Sequence, residues 1–231
     1  SLVLGMSTLT FSATFFEEEE PEKKAAIDEE TKKKQEKLQM GATVALSVVL
    51  AVAIFMLLPY YLSLIFQRYI VSPTLLALVE GLLRLVIFIA YVLLISRMED
   101  IKRVFMYHGA EHKCINCIEH GMELTVENVK KSSRLHKRCG TSFLLFVLVL
   151  SIIFFAFIRV DNRILRVLLR IVLIPVIAGV SYEFIRLAGR SDNWLVNLFS
   201  KPGLWLQGLT TKEPDDSMIE VGIASVEAVF D

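Results

Sequence analysis

"MGATVALSVVLAVAIFMLLPYYLSLIF", residues Met40–Phe66, contains no charged side chain. An α-helix needs roughly 20 apolar residues to cross the hydrocarbon core of a bilayer, and this run is longer. Three further apolar runs pass the same test, at Thr74–Ser96, Thr141–Ile158 and Ile164–Leu187. All four are too long and continuous for the strands of a membrane barrel, so they predict four transmembrane helices.

The composition of the whole chain agrees with a membrane protein. Hydrophobic residues make up 54% of its 231 residues, and the mean hydropathy of +0.54 is well above that of ordinary soluble domains. The 25 basic and 25 acidic residues balance, so no DNA partner is expected. Three cysteines are an odd number, which favours free or metal-bound thiols over a disulfide framework.

The connections between the runs predict the topology. Short turns join the first run to the second and the third to the fourth, so each pair is expected to form a helical hairpin. The long connection Arg97–Thr141 carries nine Lys and Arg residues, whereas the short turns carry one and two. By the positive-inside rule the long loop is cytosolic, which places both ends of the chain on that side of the membrane.

The prediction is therefore an all-α membrane protein in five segments. These are an interfacial helix and charged linker (1–39), a first transmembrane hairpin (40–96), a His/Cys-rich cytosolic loop (97–140), a second hairpin (141–187) and a cytosolic tail (188–231). In the tail, Trp194 and Trp205 are expected to anchor an interfacial helix at headgroup level. Ile219, Ile223 and Val226 then mark a short amphipathic helix that needs a partner surface.

Charged residues inside the spans need partners, because a charge at bilayer depth costs about 2.5 kcal/mol or more. Glu80 and Arg84 are four residues apart on one helix face, where they are expected to pair. Arg166 and Arg170 follow the outer turn closely enough to reach the headgroups. Glu183 is near the cytosolic end of its span, where we expect it to help dock the loop.

All four histidines and all three cysteines fall between His108 and Cys139. If residues 102–120 are helical, His108, Glu111 and His112 share one face, and two imidazoles with a carboxylate are donors that zinc accepts. Thr125 is expected to cap a second helix, residues 126–136, which brings further donors at its end. The predicted zinc ligands are His108, Glu111, His112, His136 and Cys139. A hydrogen-bonded structural cluster and a metal-free catalytic arrangement remain alternatives.

The stretch "HGAEH" also matches the pattern H-x-x-E-H, in which both histidines hold zinc and the glutamate is the general base. Glu111 would then be the catalytic residue of a zinc-dependent hydrolase at the cytosolic leaflet. The pattern is short, no further acidic ligand stands out downstream, and the short-looped spans offer no evident substrate cleft.

Several motifs resemble those of the YqhQ-like family, bacterial inner-membrane proteins that carry a domain of unknown function. They are "YHGAEHK", "ELTVENV", "SSRLHKRCGTSF", "SYEFIRLAGR" and "LTTKEPDD". The likeness extends from the first residues to the C-terminal "EPDD" helix and implies a multi-pass plasma-membrane protein. Members of the family usually begin further upstream with a Gly-rich segment similar to "GGQAVIEGVMMR", so the resemblance also implies that this chain is a portion of a longer one.

Three classes of function are open at this point. In the first and favoured one, a metal-stapled loop is a binding or scaffold factor in membrane-protein biogenesis, beside a translocation machine or a ribosome. Its contacts to RNA phosphates or anionic lipid would come from the basic residues Lys130, Lys131, Arg134, Lys137 and Arg138. The second is the zinc-dependent hydrolase. The third is a small-solute or ion transporter, which the shortage of acidic residues within the spans disfavours.

Overall fold

A computed structural model describes residues 7–8, 11–12, 29–158, 160, 163–191 and 193–230. For residues 29–37, 163, 164, 166, 167, 170 and 230 it describes the backbone alone. The described part is helical and contains no strand, which confirms the predicted all-α class. Most of the predicted N-terminal interfacial helix and about half of the charged linker lie outside the described residues, as do the side chains of Arg166 and Arg170.

The chain divides into two compact units, residues 1–51 and 52–231. Helix α1, Glu29–Val52, makes up most of the described part of the first unit. Every side chain from residue 38 to residue 52 is exposed, although most of them are apolar. A bare apolar helix surface of this kind is what lipid tails cover in a membrane protein.

The first predicted span is one helical run, Leu38–Gln67, with an irregularity inside it. A π-helical turn, Ala53–Leu57, precedes helix α2, Leu58–Gln67. Pro59 in the first turn of α2 has no N–H to donate to the carbonyl four residues earlier, at Phe55. The wider π turn is where the backbone absorbs that missing hydrogen bond.

The other three spans are α3 (Pro73–Ile95), α6 (Gly140–Phe157) and α7 (Arg163–Ala188). All four helical runs contain a stretch that is long and apolar enough to cross a membrane, as predicted. The ends of the run Leu38–Gln67 and of helices α3, α6 and α7 agree with the predicted ends within a few residues, although the apolar stretch within the described part of α7 is Ile171–Ala188. In the second unit α2 packs on α3, α3 on α6, and α6 on α7. Ser72 caps α3 by accepting a hydrogen bond from the Leu75 N–H at 3.5 Å.

The predicted ion pair inside α3 is present. The Arg84 guanidinium donates to the Glu80 carboxylate at 2.9 Å, and both side chains are largely buried. Gly81, in the same turn, lies directly against the Ile152 side chain of α6, where a Cβ atom would clash. The cavity beside the pair measures only about 10 Å³. That is about the space that one water molecule needs, so the described residues form no solute-sized passage beside the two charges.

The long loop forms two helices, α4 (Glu99–Glu119) and α5 (Val126–Lys131). Thr125 caps α5 as predicted, since its Oγ1 accepts a hydrogen bond from the Asn128 N–H at 3.4 Å. The prediction that this helix continues to residue 136 is wrong: it ends at Lys131, and Ser132 is extended. The Ser132 hydroxyl donates to the Asn128 carbonyl at 3.0 Å, and side chains of α4 bind the carbonyls that follow.

The tail forms α8 (Trp194–Thr210) and α9 (Asp216–Phe230). Helix α8 packs on α6, and Leu206 joins Val92 and Leu145 in a core between α3, α6 and α8. Trp194 and Trp205 are exposed, as an interfacial helix requires. Helix α9 packs on α4, where Ile219 shares a second core with Cys114, Cys117 and Val129. The amphipathic C-terminal helix thus has the partner surface that its pattern requires.

Candidate metal site

The site lies on α4, where the segment between α8 and α9 crosses that helix. The Lys212 N–H donates to the Phe105 carbonyl at 2.8 Å. A Cβ atom on Gly109 would lie 2.1 Å from the Lys212 carbonyl oxygen, so this position has room only for hydrogen. The glycine in "HGAEH" therefore permits a backbone-to-backbone approach that brings residues 210–212 beside the two histidines.

Two buried polar side chains of α4 hold the irregular segment that leads to Cys139. The Lys113 ammonium donates to the Lys130 and Ser132 carbonyls at 2.9 and 3.0 Å. The Asn116 amide donates to the Ser133 and Leu135 carbonyls at 2.7 and 3.0 Å. Residues 130–135 have no helix or sheet partners for these carbonyls, so the side chains of α4 satisfy them. This polar contact fixes the path of the chain between α5 and α6.

Gln207, on α8, holds the next part of the segment. Its side chain is fully buried, and its Oε1 accepts a hydrogen bond from the His136 N–H at 2.9 Å. Its Nε2 donates to the His136 carbonyl at 2.8 Å and to the Ser142 hydroxyl at 2.6 Å. Gln207 therefore holds the chain on both sides of Cys139, at His136 three residues before it and at Ser142 three residues after it.

These contacts bring His108, His112 and Cys139 together. One donor atom from each of the three lies within 4.8 Å of the other two. Cys139 Sγ lies 3.4 Å from His108 Nε2, and the two imidazole rings are 4.4 Å apart between centroids. A tetrahedral ion bound at 2.0–2.3 Å holds its donor atoms about 3.5 Å apart, so a small closure would complete the geometry.

Both imidazoles are oriented by main-chain carbonyls. His108 Nδ1–H donates to the Thr210 carbonyl at 3.0 Å, and His112 Nδ1–H donates to the Arg134 carbonyl at 2.8 Å. Each Nε2 is left to act as a donor to a metal. A carbonyl on the far nitrogen of a ligating histidine is the usual outer support of metal sites, because it fixes the tautomer and the ring orientation.

Two of the three buried cysteines differ in acidity. Burial raises the pKa of the Cys139 thiol, but its hydrogen bonds with His108, His112 and Thr141 outweigh burial and lower the pKa to about 5. The same contact with Cys139 raises the pKa of His108. Burial raises the pKa of Cys114 to about 11. A thiolate is the form of cysteine that binds metal, so the chemistry of Cys139 suits a ligand and that of Cys114 a core residue.

Two predicted ligands lie outside the trio. Glu111 is exposed and lies beside the three grouped residues. It directly precedes His112 in the sequence, and it follows His108 by three residues on the same face of α4. His136 is buried with its ring 5.8 Å from that of His112, but its Nε2 contacts the Glu119 carboxylate at 3.1 Å. The structure therefore joins three of the five predicted ligands and gives His136 a different partner.

The predicted basic contacts are partly engaged within the chain. Lys130 pairs with Asp216 at 2.7 Å and Lys131 with Glu127 at 2.7 Å, both on the surface. Arg134 donates to the Thr211 carbonyl, and Arg138 pairs with Glu119. Lys137 is half-buried in the same segment. Glu183 pairs with Arg186 of its own helix at 3.4 Å rather than with a loop residue.

An open cavity of about 700 Å³ lies between α4 and α9. His108 and Glu111 line it together with apolar side chains, among them Val104, Ile115 and Val226. A second cavity, of about 390 Å³, has Cys139 in its wall. The trio thus adjoins two cavities, neither of which the sequence analysis anticipated.

The whole chain, residues 1–231, matches the family described as "Protein of unknown function (DUF1385)". The chain belongs to this family. Over 173 residues it is 43% identical to the "Uncharacterized protein YqhQ" of Bacillus subtilis (strain 168), in an alignment that covers 74% of this chain and 54% of the relative. The match therefore spans about half the length of that curated relative. No solved structure matches the chain significantly. The predicted family is confirmed.

Proposed function

We propose that this DUF1385 member is a metal-dependent hydrolase of the bacterial inner membrane, with zinc bound by His108, His112 and Cys139. The observation that carries the metal is the trio itself: two imidazoles with their Nδ1 atoms on main-chain carbonyls, and a thiol with a low pKa, within 4.8 Å. Imidazole and thiolate donors together favour zinc over magnesium or calcium.

The number of ligands favours catalysis over a structural role. Structural zinc sites have four protein ligands, whereas catalytic sites have three and keep one position for water. Lys113, Asn116 and Gln207 already hold the segment before Cys139, so its path does not require a metal. Zinc with an open position lowers the pKa of a bound water to about 7 and so supplies a nucleophile at neutral pH.

Glu111 supplies the second part of the proposed chemistry. It follows His108 by three residues on α4 and lines the same cavity, so its carboxylate can take a proton from the attacking water and return it to the leaving group. The largely apolar lining of that cavity favours a substrate with an acyl chain or another apolar group. The cavity supplies the cleft that the sequence does not show.

The membrane location rests on the four apolar helices and on the distribution of charge. Nine Lys and Arg residues between Arg97 and Thr141 support a cytosolic position of the loop by the positive-inside rule. Helix α9 packs on α4, so the loop and the tail share one side. The proposed enzyme therefore faces the cytosol next to the inner leaflet.

Metal binding is tested by elemental analysis of the purified chain, with two cysteine variants as a matched pair. We expect about one zinc per chain in the wild type and in Cys114→Ser, because Cys114 belongs to the α4–α9 core. We expect Cys139→Ser to lose zinc. Equal zinc content in both variants would contradict the assignment of Cys139.

Hydrolysis is tested with p-nitrophenyl acyl esters of increasing chain length as probes. We expect kcat/KM to rise with acyl length, and Glu111→Gln to keep zinc but lose activity by about 10²–10⁴-fold, the usual contribution of a general base. Glu123→Gln, an exposed glutamate after α4, is the control and should behave as the wild type. Unchanged activity in Glu111→Gln would rule out its proposed role.

A scaffold role is the second candidate, and one observation favours it. The trio joins α4 to Cys139, which directly precedes the third span, so a bound ion would tie the loop to the membrane helices. If the chain binds zinc but hydrolyses none of the esters, a rigid cytosolic platform for a protein or ribosome is the better account. Ribosome co-purification that is lost on Lys130→Glu and Lys131→Glu substitution would support it.

A further inference from the structure

The cavity of about 390 Å³ beside Cys139 contains a cluster of arginines that the proposed hydrolysis does not use. Three guanidinium groups line it, from Arg138, Arg186 and Arg190. Gly140, Phe143 and Tyr182 complete most of the remaining wall. The sequence analysis singled out only Arg138, because the other two lie at the end of the fourth span rather than in the loop.

The backbone brings these arginines together. Arg186 lies in the last turn of α7 and Arg190 in the turn that follows the helix, and both line the cavity. Arg138 comes from the loop, and its aliphatic stem lies on Gly189, where a Cβ atom would be 2.4 Å from Arg138 Cδ. Any side chain at position 189 would push Arg138 out of the cavity. The convergence is therefore built into the fold.

The described carboxylates balance this charge only in part. Glu119 pairs with Arg138, but it is shared with His136. Glu183 contacts Arg186 at 3.4 Å with most of its side chain in solvent. Two partly engaged carboxylates face three guanidinium groups, and like charges this close repel one another unless an anion lies between them.

The position of the cavity indicates which anion. Gly140 begins the third candidate span and Ala188 ends the fourth, so the cavity lies where the cytosolic-side ends of both spans meet the polar headgroups. Tyr182 is 60% exposed beside it, as aromatic side chains at a membrane interface are. Guanidinium groups bind phosphate oxygens with two parallel hydrogen bonds, which lysines cannot do.

We propose that Arg138, Arg186 and Arg190 bind the phosphate of an anionic phospholipid of the inner leaflet. The site is independent of a metal at the trio, although Cys139 lies in its wall. Its phosphate chemistry would also accept a free phosphate ion, but the location at the ends of two spans favours the lipid. Basic residues on the cytosolic side of a membrane protein attract anionic lipid in general, so the loss of any one of them has a similar effect. The proposed site differs, because it depends on Arg138, Arg186 and Arg190 in particular.

The test is thermal unfolding of the full chain in nonionic detergent micelles, titrated with phosphatidylglycerol or with phosphatidylcholine. A ligand that binds only the folded state raises Tm by an amount that grows with ln(1 + [L]/Kd), where [L] is the free ligand concentration. We expect phosphatidylglycerol to raise Tm above the value in phosphatidylcholine. Arg190→Gln should need about tenfold more phosphatidylglycerol for the same shift, because one charge-assisted contact corresponds to roughly a factor of ten.

Lys102→Gln is the matched control, since it removes the same charge from an exposed position of α4 outside the cavity. It should respond as the wild type does, and an equal loss in both variants would show general charge attraction and overturn the proposal. If inorganic phosphate raises Tm as much as phosphatidylglycerol does at the same concentration, the assignment of the ligand as a lipid is overturned. If Arg190→Gln is unfolded in phosphatidylcholine, Arg186→Gln replaces it, and an unchanged lipid response there would refute the site.

Discussion

Replacement of Lys113 by methionine removes the ammonium group that holds the segment before Cys139 while keeping a side chain of similar length. Lys113 is 4% exposed, and its ammonium donates to the Lys130 and Ser132 carbonyls. It also pairs with Glu213 at 2.6 Å, but Glu213 is 66% exposed. Methionine fills the same volume, so the change tests the polar contacts rather than the packing.

The cost follows from the two carbonyl contacts. A hydrogen bond from a charged donor contributes about 1.5 kcal/mol or more to the free energy of unfolding, so two contribute about 3 kcal/mol. The ion pair adds less than about 1 kcal/mol, because one partner is mostly in solvent. For a chain of this size, about 3 kcal/mol corresponds to a decrease in Tm of roughly 6–12 °C.

Differential scanning fluorimetry of the detergent-purified protein measures this decrease. Lys131→Met is the matched control, because it makes the same chemical change in a pair whose partners are 66% and 79% exposed. We expect the control to lie within about 2–4 °C of the wild type, as surface pairs contribute at most about 1 kcal/mol. Equal Tm values for the two variants would mean that the α4 side chains do not hold residues 130–135.

Two further changes probe the same region. Gly109→Ala should separate residues 210–212 from α4, because the added Cβ atom meets the Lys212 carbonyl oxygen. We expect the free energy of unfolding to decrease by about 1–3 kcal/mol and elemental analysis to show loss of zinc. In the control Gly140→Ala the added Cβ atom meets nothing within 4 Å, so stability and zinc content should stay unchanged. For Glu119, burial raises the pKa, but the hydrogen bond and charge of His136 and the charge of Arg138 outweigh it, so the pKa is lower in the folded state than the ordinary 4.5. The Glu119 carboxylate therefore contributes fully to stability above pH 4.5, and this contribution is lost as the pH falls through the lower pKa of the folded state. The Tm difference between the wild type and Glu119→Gln should shrink between pH 6 and pH 3.5. A Tm difference that stays constant over this range would show that the ion pairs of Glu119 do not cause it.

The sequence predicts the helical framework well because each span carries its own signal. Length and hydropathy alone locate the four apolar helices within a few residues, and spacing alone pairs Glu80 with Arg84. The His/Cys concentration locates the region of the trio, and the i, i+4 spacing puts His108 and His112 on one face of α4. These features depend on neighbours along one helix, which a linear pattern contains.

The contacts that assemble the trio are not visible in the sequence, because main-chain carbonyls accept most of them. Lys113 and Asn116 bind carbonyls of residues 130–135, and any residue type offers a carbonyl. The predicted extension of helix α5 to residue 136 is wrong for the same reason, because the residues "SSRLH" contain no signal that side chains of α4 bind their backbone. Gln207 offered one signal that the sequence analysis did not use: a buried side-chain amide in a largely apolar helix usually has a hydrogen-bond partner.

Helix α8 has exposed aromatic residues at its surface and also makes hydrogen bonds beside His108, His112 and Cys139. It exposes Trp194 and Trp205, while its Gln207 binds the main chain at His136 and its Thr210 carbonyl orients His108. A change in bilayer thickness or lateral pressure that tilts this helix would displace one ligand relative to another. Zinc occupancy should therefore vary with the detergent or lipid chosen for extraction, so preparations that differ only in solubilisation can differ in metal content.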